Sequence, residues 1–214
     1  MLKLKVCGMK DSANITALIE LQPDFVGFIF YEKSNRFVGD DLNIDLLKSF
    51  PRNMKKVGVF VNASPDTILK TVKKYDLSYV QLHGSETPDF CKTLKMRGIN
   101  IIKAFSVDAS FNFSMINNYK PHTDFFLFDA KGDHPGGNGV AFDWSLLRNY
   151  DNDKPFFLSG GISLENVEQI TNNMAGLKLY GIDVNSKFET TPGLKDIEML
   201  RNLTNILRPI EEEA

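Results

Sequence analysis

The sequence is poor in cysteine, carries no excess of either charge and has no long apolar run, and each shortage excludes a class of protein. Two cysteines, Cys7 and Cys91, cannot build a disulfide framework and their spacing matches no metal motif, so both are expected to be free thiols. No run of about 18 apolar residues occurs, so a membrane partner is not expected. The opening "MLKLKVCGMK" lacks the apolar core and small-residue cleavage site of a secretory leader, which points to the cytoplasm. The 25 Lys and Arg are scattered and offset by 27 Asp and Glu, for a formal net charge of −2, which argues against nucleic acid as a partner.

Apolar residues make up 43% of the 214, enough for one sizeable core, and one domain spanning residues 1–214 is expected. Short apolar runs suited to buried strands recur: "LKVC" (4–7), "FVGFIF" (25–30), "KVGVFV" (56–61), "YVQL" (79–82), "IIKAF" (101–105), "FFLFD" (125–129), "FFLS" (156–159) and "LYGIDV" (179–184). Between them lie segments with helical spacing of apolar residues, such as 64–75, 85–98 and 163–173, each opening on a serine that suits an N-cap. Continuous apolar strands alternating with crossover helices imply a parallel sheet covered by helices. Eight such units in this length predict an α/β fold, the eight-stranded parallel (β/α)8 TIM barrel, with an open doubly wound sheet as the competing arrangement.

A barrel of this kind does its chemistry in the loops at the carboxyl ends of its strands. The polar residues falling there are Cys7 and Gly8 after the first strand, Arg36 in the long loop after the second, and Gln81 with His83 at the fourth. Asp129 follows at the sixth, Ser159-Gly160-Gly161 at the seventh, and Asp183 with Ser186 at the eighth. Each has a plain reading. A cysteine is often a small buried hydrophobe, an acid a turn residue, a histidine a hydrogen-bonded core residue and a loop arginine or Lys33 a solvated charge. Convergence on one rim favours a site.

Glycines add a separate argument. "SGGIS" (159–163) lies between the seventh strand and a helix expected to begin near Leu164, so its backbone N–H groups and that helix end form an anion site. "GIDVNSKF" (181–188) adds N–H groups after the eighth strand. These are the loops in which barrels bind phosphate, so Gly160, Gly161 and Ser186 are expected to hold the phosphate of a small molecule.

The segments "KVCGMKD", "GFIFYEKSNRFV", "VGVFVN", "VQLHGSE", "DAKGDHPGGNGVAFDW", "LSGGISLENV" and "GIDVNSKFETTPGLKD", in this order from Lys3 to about Asp196, resemble the phosphoribosylanthranilate isomerase family. The resemblance implies an Amadori rearrangement of N-(5-phosphoribosyl)anthranilate to 1-(2-carboxyphenylamino)-1-deoxyribulose 5-phosphate in tryptophan biosynthesis, without cofactor or metal. Opening the furanose needs a proton on the ring oxygen, and the resulting Schiff base must then lose one from the adjacent carbon. Asp129, raised by a partly dry rim, is expected to be the acid and Cys7, as a thiolate, the base, the roles that the family gives to the matching positions. By the same resemblance Arg36 faces the anthranilate carboxylate; His83 and Asp183, on the same rim, are expected to contact substrate, and a monomer or weak homodimer is expected. The loop Lys131–Val140 is expected to be a flexible cover, with Phe142 and Trp144 as packing anchors. One departure stands out. The family shows Ser-Gly-Val-Glu after the eighth strand, whereas here Ser186, Lys187, Phe188 and Glu189 stand, so lysine occupies a position where glycine could take a positive φ. Another isomerase or epimerase barrel would lack the Cys7 and Asp129 pair, and a non-catalytic phospholigand binder would have no need of it.

Overall fold

The computed structural model describes residues 1–39, 42–130, 143–151 and 153–209. Its strands β1 (Lys3–Val6), β2 (Phe25–Ile29), β3 (Lys55–Phe60), β4 (Tyr79–Leu82), β5 (Ile101–Val107), β6 (Phe125–Ala130), β7 (Phe156–Leu158) and β8 (Leu179–Val184) form a closed barrel in sequence order. The parallel β1–β8 ladder, with Lys5 opposite Asp183, closes the ring and excludes an open sheet. Strand ends differ slightly from the apolar runs: Cys7, Phe30 and Ser159 lie one residue beyond their strands, while β5 continues to Val107.

The helices are α1 (Ser12–Glu20), α2 (Ile44–Lys48), α3 (Pro65–Tyr75), α4 (Pro88–Met96), α5 (Val167–Asn173) and α6 (Ile197–Leu207). Ser64 caps α3 as expected, its hydroxyl accepting from the Thr67 N–H. Ser85 and Ser163 do not cap. Pro88 confines its position to the first helical turn and forces Thr87 into an extended conformation, so Thr87 caps α4. The Ser163 N–H instead donates to the Asn166 side chain, and α5 begins only at Val167. Strand and helix alternation also lapses between β5 and β6 and between β6 and β7, where 3-10 helices run over Phe113–His122 and Trp144–Asn149. A 3-10 coil is slimmer than an α-helix. Aromatic bulk fills the space beneath it: ring centroids lie 4.9 Å apart for Phe111–Phe113 and 5.3 Å apart for both Phe105–Phe126 and Phe128–Tyr150. A small antiparallel hairpin, β9 (Glu189–Thr191) and β10 (Leu194–Lys195), follows β8 and has no counterpart in the sequence reading.

Side chains alternate across each strand, so every second residue faces the barrel interior. At the amino-terminal end these are Phe25, Tyr79, Phe125 and Phe157, which with Tyr180 pack ring against ring, edge to face or tilted, across the barrel at centroid distances of 4.4–6.2 Å. Val57, Ile102, Ala104 and Leu127 form the layer with them. The opposite faces, including Val6, Phe28, Phe60, Leu82, Phe128, Leu158 and Val184, belong to the larger core under the helices. Among the described residues no helix is long and apolar enough to cross a membrane.

Candidate active site

The same alternation that sends Phe25 and Phe157 to one end of the barrel brings Cys7, Ile29, Val59, Gln81, His83, Asp129, Ser159 and Asp183 to the other. With Arg36 and Asn185 they line a cavity of about 50 Å³, open to solvent at the carboxyl ends of the strands. The structure therefore brings together seven of the rim residues named from sequence: Cys7, Arg36, Gln81, His83, Asp129, Ser159 and Asp183. Lys33 is exposed, as a surface charge should be.

Cys7 follows β1 directly, held by its N–H donating to the Val184 carbonyl at 2.9 Å. Its sulfur occupies room left by Gly27 on β2, where a Cβ would stand 2.7 Å from Sγ. Burial pushes the thiol above its ordinary 9.0, while the cations Lys5 and Lys195 pull against it and Asp183 adds to it. Lys5, fully buried two residues earlier on the same face, donates to Asp183 Oδ1 at 2.8 Å. Burial alone would lower its ammonium, but Asp183 and Cys7 outweigh that and raise it. Asp183 is in turn raised by burial against the pull of Lys5.

Asp129 is the penultimate residue of β6, 4% exposed, with Oδ2 3.4 Å from His83 Nε2. The distance leaves the His83 Nε2 without a hydrogen bond among the described residues. Gln81 Nε2 lies 2.9 Å from the other ring nitrogen, Nδ1. With the amide donating there, the proton of a neutral imidazole sits on Nε2 and faces Asp129.

Arg36 is not a loosely held loop cation waiting for a ligand. Its Nε and Nη2 grip both carboxylate oxygens of Glu189 at 2.7–3.0 Å. The fully buried Lys195 ammonium donates to the same carboxylate at 2.5 Å and to Asn185 Oδ1 at 2.7 Å. Burial would raise Glu189, but Arg36 and Lys195 overcome it and hold the carboxyl below its ordinary range. Lys5, Asn185, Glu189 and Lys195 escaped the sequence reading. Their partners lie far away in the chain, and only the alternation of "LKVC", which turns Lys5 to the interior beside Cys7, could have flagged one of them.

Gly160, Gly161 and Ser186 follow Ser159 and Asn185, which line the cavity, but are not lining residues themselves. Gly160 (φ +90°) and Gly161 (φ +67°) both use the left-handed region. Gly160 also passes so close to the end of β6 that a Cβ would lie 2.6 Å from the Ala130 nitrogen and 3.0 Å from Asp129 Oδ1. The helix expected from Leu164 is a short one from Val167, so the segment after Gly161 presents loop backbone rather than a helix end. Lys187 sits in a 3-10 turn, Ser186–Phe188, with φ outside the positive region, above the fully buried Phe188. Lysine is therefore tolerated where the family has glycine. The Lys131–Val140 cover and Phe142 lie outside the described residues, whereas Trp144 is buried in the core as expected. Among the described residues no group of three or more His, Cys, Asp or Glu could hold a metal ion.

Residues 4–205 match the family model for N-(5'phosphoribosyl)anthranilate (PRA) isomerase. An N-(5'-phosphoribosyl)anthranilate isomerase from Parabacteroides distasonis is 44% identical over 211 residues, covering 98% of this chain and 95% of its own. Among solved structures, phosphoribosyl anthranilate isomerase from Thermus thermophilus superposes with a TM-score of 0.85 at 25% identity, over 96% of this chain and 98% of that one. A phosphoribosyl anthranilate isomerase in complex with reduced 1-(o-carboxyphenylamino)-1-deoxyribulose 5-phosphate superposes with a TM-score of 0.81 at 30% identity, over 96% and 97% of the two chains.

Proposed function

The chain belongs to the N-(5'-phosphoribosyl)anthranilate isomerase family, and for the reaction of that family we propose that Asp129 is the general acid and Cys7 the general base. The reaction is the Amadori rearrangement of N-(5-phosphoribosyl)anthranilate to 1-(2-carboxyphenylamino)-1-deoxyribulose 5-phosphate, a step of tryptophan biosynthesis. The observation that carries the assignment is that a buried carboxyl and a buried thiol, supplied by β6 and the end of β1, face one cavity.

Asp129 gives its proton to the furanose oxygen as the C1–O bond breaks, and the nitrogen lone pair forms the C1=N bond of an iminium. The Cys7 thiolate then takes the proton from C2. The C–H electron pair becomes the C1=C2 bond and the C=N pair returns to nitrogen. Protonation of C1 by the thiol and release of the C2 hydroxyl proton to Asp129 complete the ketone and restore both side chains. Every proton moves between substrate and side chain, so the scheme calls for no cofactor. Reaction starts from Asp129 protonated and Cys7 ionised, and burial of Cys7 opposes its ionisation.

His83, with its Nε2 proton turned toward Asp129, and Asp183 would hold sugar hydroxyls beside the two reacting groups. Arg36 would bind the anthranilate carboxylate through Nη1, since Glu189 occupies the Nε and Nη2 edge. The phosphate would rest on the backbone N–H groups of Gly160, Gly161 and Ser186. All these groups come from one chain, so a monomer or weak homodimer acting in the cytoplasm suffices. The test follows the anthranilate fluorescence of freshly generated phosphoribosylanthranilate. Cys7→Ser and Asp129→Asn should each lower turnover at least about a hundredfold while circular dichroism stays native. Near-normal turnover in either variant removes that residue from the scheme.

A further inference from the structure

A lysine inside the barrel needs an explanation. Lys5 is completely buried, between Phe25 of β2 and Asp183 of β8, and an ammonium there is costly to desolvate. A buried ion pair is weak evidence of a stabilising role, since well-packed apolar residues commonly serve as well. Lys5 does, however, share the interior face of β1 with Cys7 two residues on, and its charge acts on the sulfur. Its ammonium is anchored by Asp183 Oδ1 at 2.8 Å, from the position opposite it in the β1–β8 ladder.

We infer that Lys5 is a positioning residue for the Cys7 base: its ammonium, tethered to Asp183, is the cation beside which the sulfur gives up its proton, and Asp183 limits how much of that charge the sulfur feels. The inference rests on the reading of Cys7 as the base. The charges facing Cys7 are Lys5 from β1, Asp183 from β8 and Lys195 from β10, with Arg36 packed against Gly8 next to it. Asp129 and His83 act on Asp183 from β6 and β4. Lys195 and Arg36 are both committed to Glu189. Lys5, two residues away on the same interior face, is the cation that acts most strongly on the sulfur. The arrangement answers the difficulty that burial creates, because a thiol in an apolar rim would otherwise stay protonated. In turnover the C2 proton passes to sulfur and on to C1, so Lys5 keeps its own proton throughout.

The test is the rate at which iodoacetamide modifies Cys7 as a function of pH, read on the Cys7 peptide by mass spectrometry, beside turnover at pH 7. Lys5→Gln should move the modification profile to higher pH by about one unit, and lower turnover at pH 7 by about the same tenfold factor. Asp183→Asn should move the profile the other way, and Lys5→Arg should restore much of the wild-type profile. Opposite shifts are the signature, since a strand merely loosened by substitution would move both variants in one direction. An unmoved profile in folded Lys5→Gln, or shifts of the same sign in both variants, overturns the inference. If Lys5→Gln does not fold, the double variant Lys5→Gln/Asp183→Asn leaves neither charge unpaired and should modify at higher pH than Asp183→Asn alone. Equal profiles overturn the inference there too. A profile that moves in Lys5→Gln while turnover at pH 7 does not identifies the failure as that of Cys7 as base, and the inference falls with it. Loss of turnover in Cys7→Ser with an unmoved Lys5→Gln profile leaves the base in place and removes only Lys5.

Discussion

Arg36 and Glu189, from the loop after β2 and the hairpin after β8, meet edge to edge: Nε donates to both carboxylate oxygens at 2.9 and 3.0 Å, and Nη2 to one of them at 2.7 Å. The pairing fixes the plane of the guanidinium before any ligand arrives. A fixed fork loses less freedom when it binds, so affinity and specificity gain together.

Arg36→Met should therefore do two things. It should raise KM by about tenfold or more through loss of a charge-assisted contact. It should also lower stability by about 1–3 kcal/mol, because Glu189 is left buried with one cation fewer. Steady-state kinetics and urea unfolding separate the two, and an unchanged KM would assign Arg36 to structure alone.

Acid stability should report on Glu189. Burial would raise its carboxyl, but Arg36 and Lys195 outweigh burial and depress it below the ordinary 4.5. A depressed acid contributes stability above its unfolded value and loses that contribution as pH falls through its folded value. The stability gap between wild type and Glu189→Gln should thus be full at about pH 6 and shrink below about pH 4.5. Urea titrations at intervals of pH measure it, and a gap that widens on acidification would contradict the pairing.

Gly160→Ala and Gly176→Ala form a matched pair. Both positions have left-handed φ, +90° and +84°, so each alanine should strain the backbone by about 1–2 kcal/mol. A Cβ at Gly176 meets nothing within 4 Å, whereas one at Gly160 would press on Ala130 and Asp129. Turnover should fall about tenfold or more in Gly160→Ala alone, since a small displacement of an acid is costly in rate. Equal turnover in the two variants would mean that Asp129 is insensitive to this contact.

Lys187 is exposed and close enough to Glu165 to help Ser163 hold that carboxyl down. Removing an exposed charge should change little, so Lys187→Ala should leave inhibition by inorganic phosphate within about twofold. A tenfold loss would make the lysine, rather than the loop backbone, the phosphate anchor. Gly161→Val is a poorer probe than it looks, because φ +67° strains any branched side chain with or without phosphate.

The strands were legible because buried parallel strands are continuous apolar runs, and "FVGFIF" or "FFLFD" leaves little else to be. The helices were less so. Ser85 and Ser163 look like caps in sequence, but Pro88 and Asn166 decide where α4 and α5 begin. The rim residues Cys7, Asp129 and His83 could be read because each stands at the carboxyl end of an apolar run. Lys5, Glu189 and Lys195 could not, because their meaning lies in pairings such as Lys5–Asp183 and Arg36–Glu189, which span the length of the barrel sequence. Closure alone creates those contacts, and no local spacing announces them.

The rings of Phe25, Tyr79, Phe125, Phe157 and Tyr180 plug the amino-terminal end of the barrel, so among the described residues the cavity opens at the carboxyl end alone. Substrate and product must use it in turn, and a bound product blocks the next substrate. Product inhibition is therefore competitive by construction, and any proton that Cys7 or Asp129 trades with bulk water passes through that same opening.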